Sequence, residues 1–515
     1  MTGSERIPLP IILRQAQDSL QPRGFDLFRL GLRRLVRWRY ARLAFQLPLL
    51  LLALWAIFDG LTGSQLAPRN VATTSVWLHY RGLMVIVLAI IGNAFCAACP
   101  LMLTRGLSRR LERLLPRQLV WPSMLRNKAL LLVLLVAYFL AYELFDLWAS
   151  PWLTAWLIIG YFGAALLVDT LFPAGTFCRH VCLLGNFNFV YATASPTQIT
   201  AADPEVCRRC EHKPCLHGRE TYATPPSLSG RETRAAFIPL SEVTNANGQG
   251  YFPGCETKLF VPTIASNMDC TYCFNCVRAC PYDNVALTVR PPGWEWAHSP
   301  WARRGRLGLM LLAVGLAFWG LLNAMAMIGP YYDTVQWLAA ALRTDSEALI
   351  LGLLFAAVSL GGLGLTTAAA WLADRLGGLR GSPMAALLRW GYVTLPLGFG
   401  FWGAHYLFHF LTGAPSTLPV VQHFFWYWGF DIEPNWRVAR LVPTAWLFPI
   451  GALFVALYTA LAVYLTMRIG LRDFGRQGVL AMWPMLILVL LFAALSIWIL
   501  AQPMEMRGTV LGPTL

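Results

Sequence analysis

The sequence predicts a mainly α-helical, polytopic membrane protein with one polar domain inserted between two groups of transmembrane helices. Three observations predict this fold class. The 515 residues are 57% hydrophobic and only 13% charged, a balance that soluble domains rarely show. Apolar runs long enough to cross a bilayer recur along the chain. Between them lies one long polar stretch, residues 183–302, which holds most of the 12 cysteines.

Nine apolar runs are predicted to cross the membrane, because each has about 20 residues. They lie at residues 43–61, 82–98, 129–149, 152–172, 307–328, 347–373, 390–412, 441–467 and 478–501. We therefore expect a basic N-terminal segment, a four-helix membrane module, the polar domain and a five-helix membrane module. Their predicted bounds are 1–42, 43–182, 183–302 and 303–515.

The distribution of Lys and Arg predicts the orientation. The stretches 23–42 and 103–128 hold seven basic residues each, whereas 62–80 holds one and 413–440 holds two. Cytoplasmic loops carry the excess of Lys and Arg. The N-terminus and the polar domain are thus expected on the cytoplasmic side and the C-terminus on the opposite side. Cysteines on that side stay reduced, so metal ligation is favoured over disulfides.

The net charge of +15 would indicate a nucleic-acid ligand in a soluble protein. Here the basic residues flank apolar runs, so the charge is attributed to topology and no nucleic-acid partner is expected. Before the first run, residues 25–40 read FDLFRLGLRRLVRWRY and place apolar and basic residues at helical spacing. This stretch either lies on the anionic inner leaflet or is an ordinary basic flank.

The strongest motif is CTYCFNCVRACP at residues 270–281. In such a run, three cysteines at C-x2-C-x2-C spacing hold one 4Fe-4S cluster, and the fourth, followed by proline, reaches a neighbouring cluster. Zinc sites usually take two pairs of ligands that lie a dozen or more residues apart. The motif therefore predicts iron-sulfur ligation by Cys270, Cys273, Cys276 and Cys280.

A second, irregular set of cysteines precedes this run. Cys207, Cys210 and Cys215 are spaced C-x2-C-x4-C, and Cys255 stands alone. The eight cysteines can provide the ligands of two 4Fe-4S clusters. If the fourth ligands are swapped between clusters, the two sets are Cys270, Cys273, Cys276 with Cys255, and Cys207, Cys210, Cys215 with Cys280. Without the swap, Cys255 and Cys280 exchange places.

The remaining four cysteines form two pairs near the ends of the second and fourth apolar runs. Cys96 and Cys99 are followed by Pro100. Each pair is directly preceded by a phenylalanine, Phe95 before Cys96 and Phe177 before Cys178. We expect this weak repeat to bring the four thiols together at the inner membrane surface, where they hold a further iron-sulfur centre. The alternatives are a redox-active dithiol pair and a docking surface for a partner.

Cysteine pairs at the ends of membrane helices, followed by a two-cluster domain, resemble the membrane-bound polyferredoxins of the NapH and NosR type, over residues 80–290. The family's two C-x3-C-P motifs are matched only in part, because Cys96 to Pro100 reads C-x2-C-P and Cys182 is followed by Leu183. The large periplasmic flavin domain of NosR-type proteins is not found. The resemblance implies an α+β ferredoxin-like domain in a protein of the bacterial inner membrane.

The resemblance also implies electron transfer in respiration, between the quinone or quinol pool and a cytoplasmic or membrane redox protein. We expect an electron-transfer component of a quinone-linked oxidoreductase, since the polar domain holds no acid-base or nucleophile constellation. The alternative is a redox-sensing or metalloenzyme-maturation factor that uses the same clusters. The sequence does not support a third interpretation, a transporter whose second module moves a solute, because no pair of broken helices is evident in that module.

Histidines suggest where a quinone could bind. His405 and His409 lie one turn apart on the seventh predicted span, near the outer surface, and His423 and His79 lie on the same side. Histidine in an apolar helix is costly unless it is paired, which favours a functional role. The alternative is hydrogen bonding between helices or a place in the aromatic belt. Three acidic residues could carry protons or cap helices: Glu143, Asp146 and Asp169.

Overall fold

The computed structural model describes residues 24–38, 40–115, 119–220, 243–244, 250–298, 306–438 and 441–504. In this part of the chain, seven helices are long and apolar enough to cross a membrane, and the protein is therefore a polytopic helical membrane protein. The seven are Ala41–Thr62, Val71–Ile90, Pro151–Leu171, Leu307–Met325, Glu347–Leu376, Thr444–Ala481 and Trp483–Ala501.

Seven of the nine predicted spans thus coincide with such helices. The predicted spans 129–149 and 390–412 coincide with Ala129–Leu144, which has only 16 residues, and with Thr394–Gly413. In the latter helix every residue from Thr394 to Tyr406 is buried. The glycines and histidines of this helix lower its mean hydropathy. The count of nine spans stays a prediction.

The second span is offset from its prediction. Residues 82–98 were expected, but the helix runs over Val71–Ile90. The polar residues at 73, 74 and 79 lowered the hydropathy of its first half. The helix cannot continue to residue 98, because Gly92 has a left-handed backbone with φ of 81°. One consequence is that Arg81, which the prediction placed just outside the membrane, lies inside the helix.

Among the described residues up to Tyr191, eight α-helices form the basic N-terminal stretch and the first membrane module. Its second spanning helix, α3, contains a π-helical stretch, Thr74–Tyr80. Such stretches often mark functional sites. The helices are α1 Leu32–Arg37, α2 Ala41–Thr62, α3 Val71–Ile90, α4 Ala94–Ala98, α5 Arg105–Glu112, α6 Ala129–Leu144, α7 Pro151–Leu171 and α8 Leu183–Tyr191.

Residues 197–298, here called the cysteine domain, contain an antiparallel pair of strands. Strand β1 (Thr197–Ala201) pairs with β5 (Val285–Val289), and Thr197 lies opposite Val289. Both strands are rich in β-branched residues, which favour this conformation. A second, three-stranded sheet has the order β2-β4-β3. Its strands are β2 Arg219–Glu220, β3 Val243–Thr244 and β4 Gly250–Phe252, and the helices of the domain are α9 Pro204–Arg209, α10 Pro214–His217, α11 Asn275–Ala279 and α12 Trp294–His298.

The predicted domain boundary at residue 183 falls at the start of α8, and this boundary stays a prediction. Phe187 and Phe189 of α8 are buried in the main hydrophobic core, which also contains Met268 and Trp296 of the cysteine domain. The second membrane module consists of α13 Leu307–Met325, α14 Gly329–Leu342, α15 Glu347–Leu376, α16 Pro383–Trp390, α17 Thr394–Gly413, α18 Thr417–Tyr427, α19 Leu447–Phe474, α20 Gly478–Ala481 and α21 Trp483–Ala501.

The basic stretch before the first span packs on the cysteine domain. Arg33 donates to the backbone oxygens of Asp283 (2.7 Å) and Val285 (3.1 Å), and Arg37 forms an ion pair with Asp283. Phe28 is buried against Phe274. These arginines therefore have structural partners as well as the topological role expected of them.

Candidate functional site

One set of four cysteines lines a small cavity at the edge of the cysteine domain. Pro204–Arg209 carries Cys207 and ends at Cys210, and its N-terminus is capped by the Asp203 carboxylate. Burial, with a smaller contribution from the nearby Cys280 thiol, raises the pKa of Cys215 to about 12. The structure thus places Cys280 with the upstream cysteines, and the cysteines on the cavity wall are Cys207, Cys210, Cys215 and Cys280.

The other four cysteines of the domain, Cys255, Cys270, Cys273 and Cys276, lie close to one another. Left-handed backbone at Tyr272 and Phe274 turns the chain between the cysteines of the regular run. Burial raises the pKa of Cys276 well above its ordinary value, and further contributions come from Cys273, Cys255 and Cys270. The backbone N of Cys255 donates to the Cys215 oxygen at 2.9 Å. The two sets are therefore adjacent, and Cys255 lies with the downstream one.

The chemistry of the donor sets suits an iron-sulfur cluster, because each set offers four cysteine thiols. Within the described residues, no group of three or more His, Cys, Asp or Glu side chains is close enough to hold one ion. A zinc ion would need its thiolates about 2.3 Å from the metal. A 4Fe-4S cluster instead takes one thiolate at each of four separate iron atoms, so its ligands stand farther apart, and four cysteines around one cavity suit it.

The four cysteines of the first membrane module also lie together. Cys96 is on α4 and Cys99 ends it, while Cys178 lies on the turn Phe177–Val181 and Cys182 caps α8. Burial raises the pKa of Cys96 well above its ordinary value, and Cys99, Cys182 and Cys178 each raise it further. The two cysteine pairs of the sequence repeat, Cys96 with Cys99 and Cys178 with Cys182, therefore lie close to each other in the structure.

Three polar groups and one thioether contact these thiols. Arg105 Nη2 lies 3.6 Å from Cys178 Sγ, and the Gly185 backbone N donates to Cys182 Sγ at 3.2 Å. Asn188 Nδ2 lies 4.0 Å from Cys96 Sγ. The sulfur of Met102 lies 3.5 Å from Cys178 Sγ.

Arg105 is held by two carboxylates. Its Nε donates to Asp169 Oδ2 at 3.0 Å, and its Nη1 lies 3.0 Å from Glu256 Oε2. Glu256 also accepts from Arg42 at 2.7 Å. Although burial favours the neutral acid, Arg105 and Arg42 lower the pKa of Glu256 to about 2. Asp169, for which the sequence left proton transfer or helix capping open, is thus a partner that positions Arg105 beside Cys178.

Direct contacts join the membrane cysteines to the cysteine domain. Glu256, the partner of Arg105, directly follows Cys255. Asn93, at the start of α4, donates to the backbone oxygen of Cys270 at 3.1 Å. On the opposite face of α4, the ring of Phe95 packs on Tyr80 at 4.6 Å between ring centres. Helix α4 therefore lies between the middle of α3 and the regular cysteine run.

A large cavity of about 570 Å³ opens at the end of the helix bundle remote from the cysteine domain. Its wall is mostly apolar, and its polar side chains include Arg81, Glu143, Asn323 and His409. Asn323 Nδ2 donates to Glu143 Oε1 at 3.1 Å. Of the two histidines singled out from the sequence, His409 lines the cavity. His405 is buried beside it, at 4.8 Å between ring centres.

Arg81 is the residue that the sequence analysis missed. It is only 9% exposed, and its Nη1 donates to Tyr142 Oη at 3.2 Å. Its guanidinium lies over the rings of Trp77, Tyr142 and Tyr406, at 4.6 to 5.1 Å from their centres. Among the described residues, none of the ion pairs includes it. An arginine inside an apolar helix is a functional signal, but the predicted span began one residue after it.

Two other histidines have structural roles. His79 Nε2 lies 3.0 Å from the Ala414 oxygen and 2.8 Å from Thr417 Oγ1, so it joins α3 to the end of α17. His423 is 4% exposed and packs beside Trp436. These contacts agree with the alternative of interhelical and aromatic packing. Asp146 lies just after α6 with a left-handed backbone and does not line the cavity.

The comparisons with known proteins add no family. No family model matches the chain, and no curated protein and no solved structure matches it either.

Proposed function

We propose that this chain is a membrane-bound iron-sulfur protein that relays electrons between the quinone pool and a redox partner protein. The observation that carries the proposal is the grouping of Cys280 with Cys207, Cys210 and Cys215 around one cavity. A fourth cysteine shared across two motifs is the arrangement that two-cluster ferredoxins use. The adjacent group of Cys255, Cys270, Cys273 and Cys276 supplies the second set of ligands.

The protein's own groups suit these cofactors. Two 4Fe-4S clusters would each supply reversible one-electron chemistry. Hydrogen bonds to the cysteine sulfurs tune such centres. Asn284 Nδ2 donates to Cys207 Sγ at 3.2 Å, and the Leu259 backbone N donates to Cys255 Sγ at 3.2 Å. Each set therefore has at least one neutral donor that stabilises negative charge on sulfur.

A third iron-sulfur centre is proposed at the membrane cysteines, Cys96, Cys99, Cys178 and Cys182. The buried guanidinium of Arg105 would offset the negative charge of the thiolates. The contact from Asn93 to Cys270 and the packing of Phe95 on Tyr80 support a position between the cysteine domain and the cavity. Such a position would shorten the distance that electrons must cross between the two.

The cavity that His409 lines is proposed as the quinone site. Its mostly apolar wall with a few convergent polar groups is typical of small-molecule sites. Under this proposal the protein lies in the bacterial inner membrane, in contact with lipid, with its N-terminus and cysteine domain cytoplasmic and its C-terminus periplasmic. The redox partner would then bind on the cytoplasmic or membrane side.

Iron analysis and redox-titrated EPR of the purified protein test the proposal. Two clusters require about eight iron atoms per chain and three require about twelve. Iron near four atoms, or zinc in its place, would refute the two-cluster domain. Steady quinol-dependent reduction of the clusters in purified membranes is expected of a conduit.

The alternative is a redox sensor or metalloenzyme-maturation factor that uses the same clusters. The observation that favours it is the Met102 thioether beside Cys178, because mixed thiolate and thioether donors suit a soft metal ion in transit. A sensor or maturation factor should show no sustained quinol-linked electron flow, so the membrane assay separates the two functions.

A further inference from the structure

Arg81 requires an explanation that packing alone does not give. Helix α3 rises about 1.5 Å per residue, so Arg81 lies roughly 15 Å from the helix start at Val71. A cation at this depth is costly unless an anion or a water-filled site stabilises it. Its aromatic neighbours supply ring faces and phenol oxygens, and no carboxylate of the described residues forms an ion pair with it. The side chain lines the cavity.

The charged and titratable groups around the cavity define what it can bind. Helix α3 contributes Arg81, helix α6 contributes Tyr142 and Glu143, and helix α17 contributes His409. Tyr406 of α17 packs on the guanidinium from behind. Glu143 Oε1 accepts a hydrogen bond from Asn323. The cavity thus offers one cation for an anionic oxygen and one imidazole for a proton.

We propose that Arg81 and His409 form an oxyanion site for the phenol-type head group of a hydroquinone. His409 takes the proton of one ring hydroxyl, and Arg81 holds the oxygen that becomes negative. The step moves one proton from oxygen to the imidazole nitrogen and requires no electron transfer. A guanidinium at low dielectric stabilises an oxyanion far more than it would in water. This inference rests on the proposed quinone function and deepens it.

The apolar part of the cavity accounts for the rest of the ligand. The cavity wall also includes Ala67, Pro68, Ser416 and Trp436, and most of the wall is apolar, which suits a ring carrying an isoprenoid tail. The opening lies in the half of the bundle remote from the cysteine domain. A ligand could therefore enter with its head group towards Arg81 and leave its tail at the bundle surface.

The test uses an alkyl-substituted 4-nitrophenol, because its phenolate and phenol forms have different absorption spectra. The whole protein, in lipid nanodiscs, is titrated with the probe at a pH where the free probe is mostly neutral. We expect the bound probe to be ionised. Replacement of Arg81 by Gln should weaken binding of the phenolate about tenfold and return the bound probe to the neutral form.

Three further variants make the result specific. Arg81→Lys should keep most of the ionisation, because the charge remains. Arg69→Gln is the matched control: this arginine lies over Trp436 near the cavity mouth and should have no effect. His409→Gln should slow or reduce ionisation while binding of the neutral probe persists. An unchanged spectrum in Arg81→Gln, at parental iron content, would overturn the oxyanion site.

Competition separates this inference from the function on which it rests. A short-chain hydroquinone should displace the probe from the parent protein. If only an anionic phospholipid displaces it, the oxyanion site stands, but hydroquinone as its ligand and the proposed quinone function are both overturned. If hydroquinone displaces the probe equally well from the parent protein and from Arg81→Gln, the result supports the quinone site and contradicts the proposed role of Arg81.

Discussion

The eight cysteines of the cysteine domain and the four of the first membrane module are assembled in different ways. In the domain, short spacings along the chain place three cysteines of each set, and only Cys255 and Cys280 depend on tertiary folding. In the membrane module, two pairs separated by about 80 residues meet because α4 turns back from α3 and the turn Phe177–Val181 follows α7. A cluster site whose ligands are close in sequence can thus be predicted from the sequence. A site formed by two distant pairs of cysteines depends on where the helices that carry them end.

The surroundings of the two groups differ as well. The first domain set lies at a surface cavity and has a neutral amide donor, Asn284. The membrane set has a buried arginine, Arg105, held by two carboxylates. A full positive charge shifts the properties of a nearby centre much more than an amide does. The membrane centre should therefore respond more strongly to changes in its neighbours.

The largest effect is expected from replacing Cys280 or Cys255, the two cysteines that lie with cysteines from a different part of the sequence. Cys280→Ala should remove the same EPR signal that Cys210→Ala removes, and Cys255→Ala the signal that Cys273→Ala removes, because each pair shares a cavity or loop. Each variant should lose about four iron atoms or convert one cluster to a three-iron form. The opposite pairing of signals would show that the fourth ligands are not swapped.

Removal of the membrane cysteines tests whether they hold metal at all. The quadruple replacement of Cys96, Cys99, Cys178 and Cys182 by Ala should lower the iron content by about four atoms and leave both domain signals in place. Iron content is measured on the purified protein, with the Cys210→Ala variant as a reference for the loss of one cluster. Parental iron content in the quadruple variant would leave these cysteines as dithiols or as a docking surface.

A smaller effect is expected from Arg105→Gln. Loss of the guanidinium beside Cys178 disfavours the more negative reduced state, so the midpoint potential of the membrane centre should fall by on the order of 60 mV. The domain centres should shift less. Arg109→Gln, an exposed arginine on the same helix, is the control. Equal shifts in both variants would mean that general surface charge, and not the contact with Cys178, sets the potential.

The smallest effect is expected from Met102→Leu. The side chains have similar volumes, so the free energy of unfolding should change by less than about 1.5 kcal/mol. Iron content should also be unchanged, since four thiolates complete an iron-sulfur centre. A loss of bound metal in this variant would identify the Met102 sulfur as a ligand and would strengthen the maturation alternative.

Much of the architecture could be predicted from hydrophobic runs alone, because a membrane helix is specified by length and apolarity. The bounds of α3 could not, because its first half carries Thr73, Thr74 and His79, whose polarity is tolerated where neighbouring helices cover them. Because the predicted span began at residue 82, the prediction placed Arg81 outside the membrane, although Arg81 lies within the helix Val71–Ile90. Helix α17 shows the same effect, because its glycines and histidines lower its mean hydropathy where the helix is buried.

The parts of the candidate sites that could be predicted are those in which the candidate ligands lie close together in the sequence. The regular run could be recognised at once, and its first three cysteines lie together, whereas Cys280 lies with the upstream set. The contacts of Arg105 with Asp169 and Glu256 could not be foreseen, because the three residues are far apart in the chain and only the fold joins them. His405 and His409 lie on the same face of α17, and His409 lines the cavity. The choice between them depends on how far along the helix the cavity reaches, which the sequence pattern does not determine.

The pairing of β1 with β5 has a consequence for the history of the chain. Because Thr197 lies opposite Val289, the cysteine domain leaves the membrane part and returns to it at almost the same point. A gene segment that encodes such a unit can be gained, lost or exchanged in one insertion event, without changing the spacing of the helices on either side. The same property would let an engineer replace residues 198–288 by a short turn, and so ask whether the membrane helices assemble by themselves.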